Sequence, residues 1–159
     1  MSTTTEQIWR HLAKASFAVV SHVTPDGEPR SSGVVYTVLD RRMFVVVAAD
    51  SWKARHIATS GRVAVTVPVP VRRGGIMSLV FPIPPATISC HASAVVHAPD
   101  SPDGERVLAQ LGRLLPPERR DTCRIVEIRP VGRFVTYGIG VALMRMRDPV
   151  LARGRVPVA

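Results

Sequence analysis

The chain has 159 residues, 46% of them hydrophobic, and a formal net charge of +9. That length suits one domain with a real core, and that apolar content excludes a disordered chain. No apolar run approaches the roughly 18 residues needed to cross a bilayer, and the segment MSTTTEQIWRHLAKA lacks the basic-then-apolar pattern of a secretion signal, so the cytoplasm is the expected compartment.

In chain order, Thr3-Thr4-Thr5-Glu6 reads as a capping box, with Thr3 as N-cap and Glu6 reaching back. The helix it opens runs to about Ala15 and sets Ile8, Trp9 and Leu12 on one face. FAVVSHV (17–23) is a strand, TPDGEP a turn, and RSSGVVYTVL (30–39) the return strand. After a turn at DRR, MFVVVAA (43–49) is apolar on both faces and therefore central. Asp50 or Ser51 caps the next helix, and Gly61 ends it as the left-handed residue. RVAVTVPV alternates, with Val63, Val65, Val67 and Val69 facing one way.

Residues 68–87 hold five prolines and Arg72-Arg73-Gly74-Gly75, which reads as a loop with room for a short strand at 76–81. TISCHASAVVH is the next strand; Ile88, Cys90, Ala92, Ala94 and Val96 form its apolar face. Ser101-Pro102-Asp103 opens a helix with the stripe Val107, Leu108, Leu111, Leu114 and Leu115, and Pro116-Pro117 stops it. CRIVEIRPVGRFVTYGIG supplies one or two strands broken near Pro130. The tail 148–159 shows no period and is expected at the periphery of a single domain spanning 1–159. Short turns at 24–29 and 40–42 permit only antiparallel hairpins. The expected class is therefore α+β, a mainly antiparallel barrel of six to seven strands with flanking helices.

Of 21 basic residues, all but Lys14 and Lys53 are arginine. They are scattered, aromatics make up 5%, and no helix-turn-helix or base-stacking motif stands out, so the charge points to a small anionic ligand before nucleic acid. One place concentrates the argument. The helix after Ser51 begins Trp52-Lys53 rather than with acids, although a lysine at a helix N-terminus is a mild local cost. A phosphate there would take the free backbone N–H groups, the Ser51 hydroxyl and the Lys53 charge together. Arg30, Ser31 and Ser32 lie on the strand beside the one whose end, Val47-Ala48, leads into that turn. The alternative is an ordinary capped surface helix with a solvated lysine.

No metal site is expected. Cys90 and His91 are strand neighbours on opposite faces, and His91 and His97 stand about 20 Å apart along one face. Cys90 and Cys123 make no disulfide framework and read as small buried hydrophobes. No catalytic triad is legible, and the glycines at 74–75, 138 and 140 do not follow the dinucleotide fingerprint.

The segment ASFAVVSHVTPDGEPRSSGVVYTVLDRRMFVVVAADSWKARHIATSGRVAVTVPV, with RPVGRFVTYGIG later, resembles the pyridoxamine 5′-phosphate oxidase-like flavin-binding split barrels over about residues 6–140. The shared pattern is an apolar strand, an Asp-Gly turn, Pro-Arg on the next strand, an apolar strand, Ser-x-Lys, a short helix and Arg-Val. The resemblance implies a split barrel working as a homodimer with cofactor sites between subunits. It places Arg30, Ser31 and Ser32 along the phosphate and ring edge, Val47 and Ala48 as backbone contacts, and Ser51, Trp52 and Lys53 on the phosphate. It implies an oxidoreductase that uses FMN, or the deazaflavin coenzyme 420, for hydride transfer to or from a small conjugated organic substrate.

This chain departs from the true pyridoxamine phosphate oxidases at three points. It has Trp52-Lys53 for two adjacent bases, Val35 for a lysine, and no Arg-x-His in GIGVALMRMR. Vitamin B6 phosphate oxidation is therefore not expected. Arg55, Arg72 and Arg73 are candidates to meet the oligoglutamate tail of a deazaflavin. No catalytic residue is assigned; Tyr36, Tyr137 and His91 are able to donate a proton, but each also reads as structural. The rival readings are a non-enzymatic flavin-binding or stress protein and a basic nucleic-acid-binding module.

Overall fold

Six antiparallel strands close on themselves, and a seventh adds to one edge. The computed structural model describes residues 3–70 and 85–159. The strands are β1 (Phe17–Val23), β2 (Pro29–Leu39), β3 (Arg42–Ala48), β4 (Arg62–Val69), β5 (Ala86–His97), β6 (Cys123–Tyr137) and β7 (Arg153–Pro157). They lie in the order β3-β2-β1-β4-β5-β6-β7, and a further β3–β6 pairing closes the barrel. Helices α1 (Thr5–Lys14), α2 (Trp52–Ser60), α3 (Pro102–Leu111) and α4 (Pro149–Ala152) flank it. This is the α+β antiparallel barrel expected from the sequence. Among the described residues no helix is long and apolar enough to cross a membrane.

Period-two alternation fills the barrel: Ala18 and Val20 from β1, Val34 and Tyr36 from β2, and Val63, Val65, Val67 and Val69 from β4 are all buried in one cluster. α1 adds Ile8, Trp9 and Leu12 to that cluster, with the Trp9 ring edge-on to Phe134 at 5.5 Å. β3 is apolar on both faces because both are covered. Met43, Val45 and Val47 face the barrel, while Phe44 joins a second cluster with Val107, Cys123 and Ile125 beneath α3.

Several sequence expectations shift. The cap of α1 is Thr4, not Thr3: Thr4 Oγ1 accepts from Gln7 N, and Gln7 Oε1 accepts from Thr4 N. The Thr-x-x-Glu/Gln spacing fits both frames, and Glu6 is instead engaged by Arg41 at 2.7 Å. α3 ends at Leu111; Leu114 and Leu115 fall in or after a 3-10 turn, which breaks the helical period and leaves Leu114 exposed. β6 is one strand through Pro130. It pairs with β3 over 123–128 and with β7 over 133–137. Pro130 falls in the gap between those two pairings, and on the other edge it lies opposite Ala92, two pairs from the register shift of the β5 ladder between Ser89 and His91. The tail is not peripheral. Asp148 caps α4, and β7 pairs with β6, burying Ala152 and Val156. A four-residue helix and a five-residue strand are too short to show a period. The loop expected at 68–87 lies largely outside the described residues, including its possible strand at 76–81, Arg72 and Arg73.

The β2–β3 turn holds Asp40 and Arg41 at positive φ, 51° and 56°, the conformation of a two-residue hairpin turn without glycine. Ion pairs flank it: Arg41 to Glu6, and Asp40 to Arg106 at 2.8 Å. Nearby, Glu127 is 1% exposed on β6 and accepts from Arg129 Nε and Arg42 Nη1 (3.2 Å), with His97 Nε2 at 2.6 Å. Arg42 also binds Asp103 at 2.7 Å, so one buried carboxylate ties β3, β5, β6 and α3 together. Burial pushes the Glu127 carboxyl up, but hydrogen bonds from Arg129, His97 and Arg42 outweigh it and hold the group at about 2.

Breaking this network by Glu127→Ala is expected to cost about 3–5 kcal/mol, the usual range for a buried ion pair that loses one partner, measured by urea denaturation at pH 7. Because the folded carboxyl titrates near 2 and its reference value is 4.5, the stabilisation is fully present above 4.5 and is lost as pH falls toward 2. The difference between wild type and variant should therefore shrink between pH 5 and pH 2.

Candidate functional site

The site is built at the junction of β3 and α2. Ser51 is the N-cap of α2: its Oγ accepts from Ala54 N at 3.2 Å. Gly61 ends the helix at φ 63°, with its N–H on Ile57 O at 2.8 Å. Ala54 and Ile57 are buried, which leaves Trp52, Lys53 and His56 on the side away from the core. The first turn holds no acid. The N–H groups of Trp52 and Lys53 have no intrahelical partner, and the positive end of the helix dipole lies with them.

The other half comes from β1 and β2. In their ladder His22 lies opposite Arg30 and Val20 opposite Ser32. A cavity of about 620 Å³ is lined by both halves: Arg30, Ser31 and Ser32 from β2, Trp52, Lys53 and His56 from α2, and His22 from β1. An adjoining cavity of about 390 Å³ is lined by Gly33, Val34, Val35, Val46, Val47, Ala48, Ser51, Lys53, Leu111, Leu114 and Leu115. Lys53 lines both. The eight residues singled out in the sequence therefore fall around two neighbouring cavities, one lined mainly by polar and charged residues (the polar cavity) and one mainly by aliphatic residues.

They are not equivalent. Arg30 is engaged by Glu28 at 2.6 Å, and both side chains are exposed. Ser31 borders the polar cavity, but its hydroxyl is 2.7 Å from Ser21 Oγ. Ser32 Oγ is buried and has no hydrogen-bond partner, and the same holds for His22 Nδ1. Buried polar atoms are rarely left unpaired, and both residues belong to the lining of this cavity, where a water or a polar ligand would supply a partner. Lys53 forms no ion pair among the described residues, and burial pushes its ammonium pKa down. An anion in the cavity would reverse that. Trp52 is 70% exposed; the Arg55 guanidinium stacks 4.9 Å from its ring centre and donates to Asp50 O at 3.3 Å.

Two residues at the site were missed in the sequence, His22 and His56. The signal was present: Ala18, Val20 and His22 share the inner face of β1, and His56 stands four residues after Trp52 on one side of the helix. The proton-donor candidates lie elsewhere. Tyr36 donates to Leu12 O at 2.6 Å and Tyr137 to Met146 O at 2.6 Å, and His91 is exposed on β5. Among the described residues no three His, Cys, Asp or Glu side chains cluster as metal ligands.

No protein-family model matches the sequence, and no curated protein is similar to it in sequence. Solved structures are similar in fold. HutZ, a heme storage protein from Vibrio cholerae, is 16% identical; the match covers 84% of this chain and 94% of that one, with a TM-score of 0.64. An F420 reductase is 20% identical over 79% of this chain and 93% of its own, with a TM-score of 0.58. A FAD-binding protein from Mesorhizobium loti is 12% identical over 82% of this chain and 91% of its own, with a TM-score of 0.64. The fold is that of the pyridoxamine 5′-phosphate oxidase-like split barrels.

If Ser51 serves as the cap and Lys53 serves a ligand rather than the fold, their substitutions should separate. Ser51→Ala is expected to lower stability by about 1 kcal/mol. Lys53→Met should leave stability within about 0.5 kcal/mol of wild type or raise it, since it removes a charge that burial disfavours. Urea unfolding of the free protein at pH 7 measures both.

Proposed function

We propose that this chain binds a flavin-type cofactor, FMN or the deazaflavin coenzyme 420, and acts as an oxidoreductase on a small conjugated organic substrate. The observation that carries this reading is the meeting at Lys53 of a cavity lined mainly by polar and charged residues with one lined mainly by aliphatic residues, Ser32 Oγ and His22 Nδ1 being unpartnered among the residues of the first. A ligand that fits both has an anionic group at one end and a flat apolar body at the other.

In this reading Lys53, the N–H groups at the start of α2, Ser32 and Arg30 hold the phosphate. Their hydrogen bonds are charge-assisted, and the helix N-terminus favours the anion. Gly33–Val35 and the main chain at Val47 and Ala48 bound the ring. Leu114 and Leu115 keep water from it. The cofactor, when bound, supplies the hydride transfer, so the protein needs no nucleophile. Val35 and the missing Arg-x-His weigh against pyridoxamine phosphate as substrate.

The protein works in this reading as a homodimer in the cytoplasm. Phe17, Val35, Val131 and Val135 are exposed on the outer side of the barrel, among short side chains such as Ser21, Ala64 and Ser89, and form a face suited to a second copy. Two buried free cysteines accord with a reducing compartment.

Titration of the purified chain with FMN, coenzyme 420 and hemin tests the proposal. Binding of FMN or the deazaflavin at micromolar concentration, followed by turnover with a panel of electron acceptors, is the expected result. Lys53→Ala should weaken that binding by about 1.5–3 kcal/mol. Binding without turnover would make the chain a flavin carrier. A Soret shift with hemin alone, or salt-sensitive DNA binding alone, would overturn the proposal. Light scattering should give twice the chain mass; a monomer mass would remove the dimer from it.

A further inference from the structure

One wall of the polar cavity is not used by the phosphate-binding residues above. His22 is 7% exposed on the inner face of β1, directly opposite Arg30. Its Nε2 lies 3.3 Å from His56 Nδ1, and its Nδ1 is buried without a partner. His22 is among the residues that line the cavity; one of its nitrogens is committed to His56, and the other is buried without a partner. The charged and titratable groups around that cavity are Asp26 and Glu28 from the β1–β2 turn, Arg30 from β2, and Lys53 and His56 from α2. Glu28 is already engaged by Arg30. Burial, followed by the charges of His56, Lys53 and Arg30, pushes the His22 pKa below the ordinary histidine value, so the free protein holds this ring neutral at pH 7.

We propose that His22, backed by His56, is a binding residue for the ligand's anionic group, and that the pair takes up one proton as that group binds. This rests on the reading of the cavity as an anion site. A neutral imidazole has one N–H for two polar positions; a protonated one has two. With the anion present, His22 Nε2–H donates to His56 Nδ1 and His22 Nδ1–H donates to an anion oxygen. The proton comes from solvent, and no bond in the ligand forms or breaks. The anion also offsets the field of Lys53 and Arg30 that keeps the ring neutral. The device favours a phosphate over a neutral ligand of the same shape and strengthens binding as pH falls.

Histidine Cε1–H titrations of the full chain by NMR test this, with His22→Asn and His56→Asn supplying the assignments and circular dichroism checking their folding. The probes are FMN, riboflavin (which lacks the phosphate) and inorganic phosphate. The expected result is that the His22 midpoint rises by about 1–3 pH units with FMN or inorganic phosphate and does not move with riboflavin. Measured against His22→Asn, which reports the phosphate's own second ionisation at about pH 6, wild-type FMN affinity should fall roughly tenfold between about pH 6 and pH 8. If inorganic phosphate raises the midpoint but FMN does not bind, the inference stands and the flavin reading fails. If FMN binds and the midpoint does not move, the inference fails and the flavin reading stands. No movement with any probe overturns the inference.

Discussion

The antiparallel pairing of β3 with β2 is the constraint on which the site depends. The ladder sets Tyr36 against Val45 and Leu39 against Arg42. Continued in that register, the end of β3 lies beside Gly33, so the chain enters α2 next to Arg30, Ser31 and Ser32. A slip of one residue would turn Ser32 outward and carry the start of α2 away from it. The register is set by a tight turn in which two non-glycine residues sit at positive φ. Ion pairs from α1 and α3 flank that turn, and the buried Glu127 network lies beside it. Much of the local electrostatics therefore serves to fix one hairpin.

Barrel closure does the rest. The β3–β6 pairing closes the second edge of β3, the barrel core and the cluster beneath α3 bury its two faces, and its C-terminal end, Ala48, stays exposed between two cavities. α2 spans from there to β5, where Ala94 N donates to Gly61 O at 2.9 Å. The helix is thus anchored at its far end, and its N-terminus is free to serve a ligand. Its core contacts are few, Ala54 and Ile57. The polar side carries Trp52, Lys53 and His56, where an amphipathic surface helix would ordinarily place acids in the first turn. That exchange costs a little helix stability, which an anion bound at the N-terminus would offset.

Much of this was legible in the sequence because it depends on local rules. Val63 to Val69 announce a strand by alternation, Ser51 and Gly61 announce the limits of a helix, and Trp52-Lys53 stands out as the wrong chemistry for a first turn. The barrel class followed from turns too short for anything but hairpins. What stayed hidden depends on non-local geometry. His22 reads as one more polar residue at a strand end until the β1–β2 ladder sets it against Arg30 and the packing of α2 brings His56 to it. Ser31 and Ser32 look alike in sequence, but alternation sends one to Ser21 and the other inward. Leu114 looked like core until the 3-10 turn rotated it out. The tail became a strand only because β6 offers it an edge.

The central claim is that the start of α2 and the start of β2 grip one negatively charged group together. A crystal structure of the chain with FMN tests it most directly. The account predicts the phosphate within hydrogen-bond distance of both Lys53 Nζ and Ser32 Oγ, with the ring toward Val47 and Ala48. A phosphate bound elsewhere, with that corner holding only water, would contradict it.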